Sequence, residues 1–452
     1  MVFIIMNSSL SIAQTNVGGG IYSNTTWTKI NSPYIVTGNI VLFPGKTLTI
    51  EPGVEVKFDG YYNLEIRGTL VALGTITDSI SFVSNISLIK GAWDGIDLIS
   101  LQNGVGFFDF CIIKHSSSGI KVEPGMGNDS INTNYIKNSL FDNNIDAFKS
   151  QYGWTIPIDT CVFINNTNSI IGGWEVITFS NFLNNDFGLN GSLGEVRNCL
   201  FQNNMTAIGG ESTYAEIYSC IIINNNIGIT IGNGTITNNT ICNNVNGVII
   251  NSGLVSNNNI SNNVVGVITN HTSSTVDSIE YYVPIKNNHI CNNTQYNIEN
   301  GNVYNKNITK NCFCTTDSTI IEDKLFDGYD DITLGLFNYD IYDSACQNVT
   351  QSVYKIGNPP IITTSNTIFS TNQIFSISPN PSNDFISIQL DNSKDKQYNL
   401  RIYNMQGQEI LQFENIKEQQ KTIDCRKLKT GIYLLQFIQG GIIVGQKKLI
   451  KE

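Results

Sequence analysis

Asn-Asn pairs recur along the middle of this 452-residue chain, and their spacing constrains the fold more than any other feature. Most neighbouring pairs lie roughly 19 to 22 residues apart, which is the range of solenoid repeats. Phe or Ile stands two residues before each pair, and Ser, Cys or Asn stands four before. The pairs in this register are Asn143-Asn144, Asn165-Asn166, Asn184-Asn185, Asn203-Asn204, Asn224-Asn225, Asn243-Asn244, Asn262-Asn263 and Asn292-Asn293.

The segments between the turns indicate the kind of secondary structure. They hold β-branched runs of about three to five residues, which suit strands and are too short for helices. Each repeat is therefore predicted to be one coil of three short strands. Coils stacked about 4.8 Å apart pair their backbones, bury the Phe/Ile column and let the Asn and Ser/Cys columns hydrogen-bond along the axis. The predicted fold class is all-β, with a parallel β-helix as the main body.

Residues 35–98 continue this pattern with alternating apolar strands between Gly and Pro turns. They contain Pro52-Gly53-Val54 and Trp93-Asp94-Gly95-Ile96, and the stretch resembles the opening coils of secreted bacterial right-handed β-helix proteins. Residues 312–345 resemble the cap that ends such helices, with Cys312-Phe313-Cys314 where an aromatic-rich sequence is usual. The resemblance implies a right-handed parallel β-helix over residues 14–345 and no particular activity.

A Ser-, Thr- and Asn-rich linker is expected over residues 346–372, followed by a separate domain over residues 373–452. This tail alternates apolar strands with turns, which predicts a small Ig-like β-sandwich. Its motifs resemble the type A sorting domain of the type IX secretion system of Bacteroidota. The residues that carry the resemblance are Pro379, Asn380, Pro381, Gly407, Gly431, Tyr433, Lys447 and Lys448.

The resemblance of the tail implies that the partner is the type IX machinery and that the protein is secreted or attached to the outer surface of the outer membrane. Residues 1–13 end in a small-x-small pattern before Gln14, but no Lys or Arg precedes their short apolar run. They are either a signal peptide, possibly truncated, or an ordinary terminus. No later run approaches the roughly 18 apolar residues of a membrane span. The net charge of −11 and the lack of a basic stripe exclude a nucleic-acid partner.

Ten cysteines in an exported chain suggest disulfides. Two bridges are left open, one between Cys199 and Cys220 on successive coils and one from Cys312 or Cys314 to Cys346. The three histidines are interpreted as surface or turn residues, and no Cys-His set has zinc-finger spacing, so no metal or cofactor is predicted. Thiols that fall in the small-residue column and are expected to pack as apolar groups are Cys111, Cys161, Cys199 and Cys220.

The best candidate site lies where acidic and aromatic residues share columns on neighbouring coils. Glu195 and Glu216 each stand one residue before an inward apolar residue, so both are predicted to point outward as a candidate catalytic pair. The alternative is that stacked Glu residues keep this surface soluble and that the aromatic residues cover the core at a turn. The candidate ligand-binding residues are Trp174, Glu175, Glu211 and Tyr214.

Three functions are compared. The favoured one is a non-enzymatic, adhesin-like or glycan-binding surface protein, and the alternative is a secreted polysaccharide hydrolase or lyase. A lyase needs a basic residue and usually Ca²⁺. Between Cys161 and Asn300 the only Lys and Arg are Arg197 and Lys286, and nothing supports a Ca²⁺ site. A structural spacer is the third function, and the absence of another folded module besides the tail disfavours it.

Overall fold

The computed structural model describes most of the chain, and every structural statement below concerns the described residues. These are residues 14–123, 134–150, 156–173, 175–192, 194–210, 214–270, 283–339, 375–379, 382–390, 397–404, 409–416, 420–439 and 442–451. The chain divides into two compact units, residues 1–363 and 364–452.

The first unit is a parallel β-solenoid of about 11 turns. Each regular coil contributes two strands to a 25-stranded sheet, called sheet 1, and one strand to a 12-stranded sheet, called sheet 2. The sheet 2 strands are Thr25–Trp27, Thr47–Ile50, Thr69–Leu73, Val105–Asp109, Tyr135–Lys137, Pro157–Asp159, Val176–Thr178, Glu195–Arg197, Tyr214–Tyr218, Asn233–Thr237, Leu254–Ser256 and Ile285–Lys286.

Sheet 1 begins with the parallel pair of Thr15–Ile21 and the long strand Tyr34–Leu42, and from the two halves of Tyr34–Leu42 two parallel ladders continue. Its strands are Thr15–Ile21, Tyr34–Leu42, Glu55–Phe58, Asn63–Ile66, Ile80–Ser84, Trp93–Ile99, Cys111–Lys114, Ser116–Glu123, Leu140–Asp142, Asp146–Ser150, Val162–Ile164, Asn168–Gly173, Asn181–Leu183, Phe187–Ser192, Leu200–Gln202, Thr206–Gly209, Ile221–Ile223, Ile227–Ile231, Thr240–Cys242, Asn246–Ile250, Asn259–Ser261, Val265–Asn270, His289–Cys291, Tyr296–Gly301 and Leu325–Phe326.

Short elements complete the first unit. The 3-10 helices Lys29–Asn31 and Ser100–Gln102 lie between early coils. After the last coil, the α-helix Ser318–Glu322 is capped by Asp317, and the strands Lys306–Asn307 and Phe337–Asn338 form a parallel pair. Within the described residues, no helix has the length and apolar character of a membrane span.

The Asn-Asn pairs have two different structural roles. The first Asn of each pair adopts a left-handed turn conformation, with φ of 55 to 59°. Asn tolerates this conformation better than most residues do. The second Asn is buried, and its Nδ2 donates to the Oδ1 of the next one at 3.0 to 3.1 Å. The ladder members are Asn144, Asn166, Asn185, Asn204, Asn225, Asn244, Asn263 and Asn293.

The interior between the sheets is a continuous stack of apolar side chains. Four phenylalanine rings stack face to face along the axis, with centroid separations of 4.7, 5.0 and 4.6 Å. They are Phe141, Phe163, Phe182 and Phe201, and Ile222, Ile241, Ile260 and Ile290 continue their column. The predicted all-β parallel solenoid, with its buried Phe/Ile and Asn columns, is therefore confirmed.

The second unit consists of two antiparallel sheets whose buried residues form one apolar cluster. The three-stranded sheet contains Phe375–Ser378, Phe385–Leu390 and Gln420–Asp424. The four-stranded sheet contains, in spatial order, Glu409–Ile416, Tyr398–Asn404, Gly431–Gln439 and Ile442–Lys451.

Candidate functional site

The outer face of sheet 2 carries the sequence-predicted acid pair. Side chains alternate between the two faces of a strand, so each sheet 2 strand presents alternate residues outward. Two columns therefore run along this face. One contains Phe107, Tyr135, Pro157, Val176, Glu195 and Glu216, and the other contains Asp109, Lys137, Asp159, Thr178, Arg197 and Tyr218.

Glu195 and Glu216 are direct register partners on the adjacent strands Glu195–Arg197 and Tyr214–Tyr218. The neighbouring Val196 and Ile217 are completely buried. Glu216 is exposed, whereas the Glu195 side chain is 29% exposed. Both carboxylates therefore face outward on successive coils, about 4.8 Å apart along the backbone stack.

The two carboxylates have different partners. Glu195 lies 3.0 Å from Nη1 of Arg197 and accepts a hydrogen bond from the Tyr218 hydroxyl. Burial, together with the bond to Glu195, raises the pKa of Tyr218, so this phenol stays protonated and donates. Glu216 accepts a hydrogen bond from the Tyr214 hydroxyl at 3.2 Å. Glu195 is thus held in one orientation by a cation and a phenol, while Glu216 remains open to solvent.

A groove of about 380 Å³ borders this cluster on the following coils. Tyr214 forms one end of it and Pro284 the other. Glycines let the coils beside the groove stack closely: a Cβ on Gly234 would lie 2.1 Å from the Ala215 carbonyl oxygen, and one on Gly253 would lie 2.0 Å from the Gly234 carbonyl oxygen. Its remaining walls are Asn233, Thr235 and Leu254.

Aromatic and charged side chains continue along the same face on the earlier coils. The rings of Phe107 and Tyr135 are in contact, with centroids 5.4 Å apart, and Nζ of Lys137 lies 5.0 Å from the Tyr135 centroid. Asp159 accepts a hydrogen bond from the Thr178 hydroxyl. The face therefore offers ring surfaces, carboxylates and cations on consecutive coils.

Glu175 does not belong to this outer surface. Its side chain is completely buried, where it accepts a hydrogen bond from the Ser150 hydroxyl. Its Oε2 has no hydrogen-bond partner among the described residues, and burial raises the pKa of the carboxyl. The space it fills is left by Gly172, where a Cβ would lie 2.1 Å from Oε2. The other two predicted ligand-binding residues, Trp174 and Glu211, lie outside the described residues.

The cysteines divide into free thiols and disulfides. The four column thiols are free and buried, so the Cys199–Cys220 bridge is not formed. Cys314 is bonded to Cys291, and Cys346 lies outside the described residues. The predicted packing of Cys111, Cys161, Cys199 and Cys220 as small buried groups is therefore confirmed.

The structure also assembles a group that no local sequence spacing indicated. The side chains of His289, Cys291, Cys312 and Cys314 come together where the last regular coil meets the segment that follows it. His289 is 23 residues from Cys312, which is about one coil plus a connection. The sequence could have indicated that these side chains are close only if the coil register had been extended past the longer spacing between Asn262-Asn263 and Asn292-Asn293.

The sorting residues that the structure describes lie at the ends and in the middle of tail strands. Pro379 follows the strand Phe375–Ser378 and is exposed, and Gly431 opens a strand in which the Tyr433 hydroxyl donates to the Lys429 carbonyl oxygen at 2.8 Å. The backbones of Lys447 and Lys448 pair with those of Leu435 and Leu434. Asn380, Pro381 and Gly407 lie outside the described residues.

The solenoid and the two-sheet tail define a class: an exported parallel β-helix protein with a C-terminal sorting domain. Residues 376–452 match the family described as secretion system C-terminal sorting domain, which confirms the resemblance to the type IX tail. The chain is therefore a secreted or outer-surface protein that uses the type IX machinery.

A curated relative, Protein bark beetle of Drosophila melanogaster, is 39% identical to this chain over 74 residues. The aligned region covers 16% of this chain and 2% of that protein. The chain thus spans a very small part of the relative's length, and the similarity carries no function across.

Proposed function

We propose that this exported protein binds glycans, as an adhesin-like surface protein, through the outer face of sheet 2. The observation that carries the proposal is the groove between Tyr214 and Pro284. Its wall residue Thr235 is the register neighbour of Glu216, and Glu195 follows one coil further along the same face. The groove volume of about 380 Å³ lies at the lower end of ligand-site volumes and suits a short stretch of an extended polymer.

The chemistry of the face favours a neutral sugar polymer. Aromatic rings present an apolar face to the C–H side of a sugar ring, while carboxylates and Arg197 can bond hydroxyl groups. Carboxylates on successive coils would repel an acidic polysaccharide. Parallel coils place successive outward side chains about 4.8 Å apart, so a linear glycan lying along the axis would meet a further set of side chains on each coil.

Glycoside hydrolysis is the second candidate, and the register pairing of the two carboxylates favours it. Retaining glycosidases hold their carboxyl groups about 5 Å apart, close to the spacing of adjacent coils. A general acid, however, must be free to give a proton to the glycosidic oxygen. Oε1 of Glu195 instead lies 3.0 Å from Nη1 of Arg197 and accepts from the Tyr218 hydroxyl, so this carboxylate is already engaged as an acceptor.

The test measures binding and product release by the full chain on a panel of neutral and acidic polysaccharides. Tyr214→Ala removes the ring at the end of the groove, and Tyr61→Ala, an exposed tyrosine in an early coil, is the matched control. Glu195→Gln and Glu216→Gln remove one negative charge each with little change in shape.

Binding without product release, weakened by Tyr214→Ala and unchanged by Tyr61→Ala, is the expected result. Product release that disappears in both Gln variants would replace the binding proposal with glycosidase activity. Failure to bind any polysaccharide, or equal binding by the Tyr214→Ala variant, would contradict a glycan site in this groove.

A further inference from the structure

Four metal-ligating side chains meet at the end of the solenoid. The ligand atoms of His289, Cys291, Cys312 and Cys314 all lie within 4.8 Å of one another. Nε2 of His289 is 3.1 Å from Sγ of Cys314 and 3.4 Å from Sγ of Cys291. Zinc bonds of about 2.3 Å to sulfur and 2.0–2.1 Å to nitrogen place tetrahedral ligand atoms roughly 3.4 to 3.8 Å apart. The cluster therefore has the size of a zinc coordination shell.

Backbone pairing explains why the four side chains converge. His289 and Cys291 alternate along one strand, so they project from the same face, and Cys312 and Cys314 have the same two-residue spacing. A parallel β-bridge between His289 and Cys312 places the second pair beside the first. Three of the four side chains are buried or half-buried, and Cys314 is exposed, which gives an ion a path from solvent.

A neighbouring amide sets the tautomer of the imidazole. Nδ1 of His289 lies 3.1 Å from Oδ1 of Asn259 on the preceding coil. An amide oxygen only accepts hydrogen bonds, so Nδ1 carries the proton and the Nε2 lone pair faces the sulfur atoms. Metal-ligating histidines are held by the same kind of outer hydrogen bond.

In the structure the cluster is oxidised, because Cys291 and Cys314 form a disulfide and Cys312 is disulfide-bonded as well. We propose that, when these disulfides are reduced, the four side chains bind one zinc ion as a Cys₃His structural site. Each disulfide takes two electrons and two protons from one dithiol, which becomes a cyclic disulfide. Zinc then displaces the protons of three thiols and binds the neutral imidazole.

The donor set favours zinc among the common divalent ions. Thiolate and imidazole are ligands of zinc, whereas Mg²⁺ and Ca²⁺ take oxygen ligands, which this cluster lacks. Four protein ligands close the coordination shell, so no position remains for a substrate. The site would therefore fasten the last coil to the segment after it, in place of the disulfide.

The experiment uses the full chain, reduced with a dithiol under anaerobic conditions, freed of the dithiol, and exposed to Zn²⁺ or Co²⁺. Elemental mass spectrometry counts bound zinc, and the visible spectrum of bound Co²⁺ reports tetrahedral thiolate coordination. His289→Asn and Cys314→Ser each remove one ligand. Cys242→Ser, a free thiol outside the cluster, is the matched control.

We expect one zinc per reduced chain, none in the oxidised chain, and loss of stoichiometric zinc in both ligand variants but not in Cys242→Ser. Asn259→Ala should weaken zinc binding about 10- to 100-fold, because it removes the outer hydrogen bond to His289. Circular dichroism of each reduced chain monitors its β content. No zinc in the reduced natural chain, folded or not, would overturn the proposal, as would equal zinc in the His289→Asn and Cys314→Ser variants.

Discussion

The buried Asn ladder predicts a large and local loss of stability when one of its members is removed. In Asn204→Ala, Oδ1 no longer accepts from the backbone N–H and side-chain N–H of Asn185, at 2.9 and 3.0 Å. Nδ2 no longer donates to the Phe182 carbonyl oxygen or to Oδ1 of Asn225, both at 3.0 Å. Four buried polar groups thus lose a bond, although Nδ2 of Asn185 still donates to the Phe163 carbonyl oxygen and Oδ1 of Asn225 still accepts from the backbone N–H of residue 204. Each unsatisfied group costs about 1–3 kcal/mol. The expected loss in the free energy of unfolding is about 3–5 kcal/mol.

The assay is native-state hydrogen exchange measured by mass spectrometry, because a solenoid opens locally and one global midpoint would average over coils. The Asn185 amide is the direct reporter, since Asn204 is its acceptor. A loss of about 3 kcal/mol corresponds to exchange faster by on the order of 100-fold. The matched control is Asn203→Gly, at the exposed, left-handed neighbour with φ of 59°, where glycine fits without strain.

Exchange at Asn185 in Asn204→Ala that equals exchange in Asn203→Gly would refute the reasoning. It would mean that the ladder follows from the fold without stabilising it, for example because water replaces the lost amide.

Three further predictions concern the core, a buried acid and the tail. Phe182→Ala, between Phe163 and Phe201 in the ring stack, should lower the free energy of unfolding by about 3–5 kcal/mol, measured by urea denaturation; a loss below 1 kcal/mol would contradict the packing role. Burial raises the folded-state pKa of Glu175, so the free energy of unfolding should be greatest below the unfolded-state pKa of this carboxyl and should fall as the pH rises toward its folded-state pKa. Glu175→Gln should therefore be more stable than the natural chain at pH 7.5 and similar to it at low pH. Equal denaturation midpoints of the two chains at pH 7.5 would refute this. Deletion of residues 376–452 should abolish delivery to the cell exterior, checked by cell fractionation, and unchanged delivery would show that another signal suffices.

The repeat could be predicted from the sequence because its physical causes recur on every coil. A left-handed turn favours Asn, and a buried ladder position needs both a donor and an acceptor. Asn therefore recurs at the same two positions of every regular coil. Asn203 shows the left-handed turn position and Asn204 the buried ladder position. Outward Glu195 and Glu216 followed from strand alternation beside Val196 and Ile217. These features depend only on neighbours along one coil or one step up the stack.

The remaining features depend on contacts that the repeat does not determine. Glu175 stands at the corner before a sheet 2 strand, where alternation does not apply, and the absence of a side chain at Gly172 admits its carboxyl into the interior. Gly234 and Gly253 line the groove where the backbone of the preceding coil comes too close for a Cβ, and that approach is visible only once the coils are stacked. His289 and Cys314 meet only because a β-bridge aligns segments 25 residues apart.

The Asn ladder is also compatible with different numbers of coils. Asn166, Asn185, Asn204 and Asn225 make the same bonds to their neighbours, so removing or adding one whole coil leaves an unbroken chain of amides. Such an event changes the length of the protein by one strand spacing, about 4.8 Å, without changing any other coil. Insertion or deletion of whole coils can thus change the length of the solenoid in uniform steps, while its first and last coils and the tail stay the same.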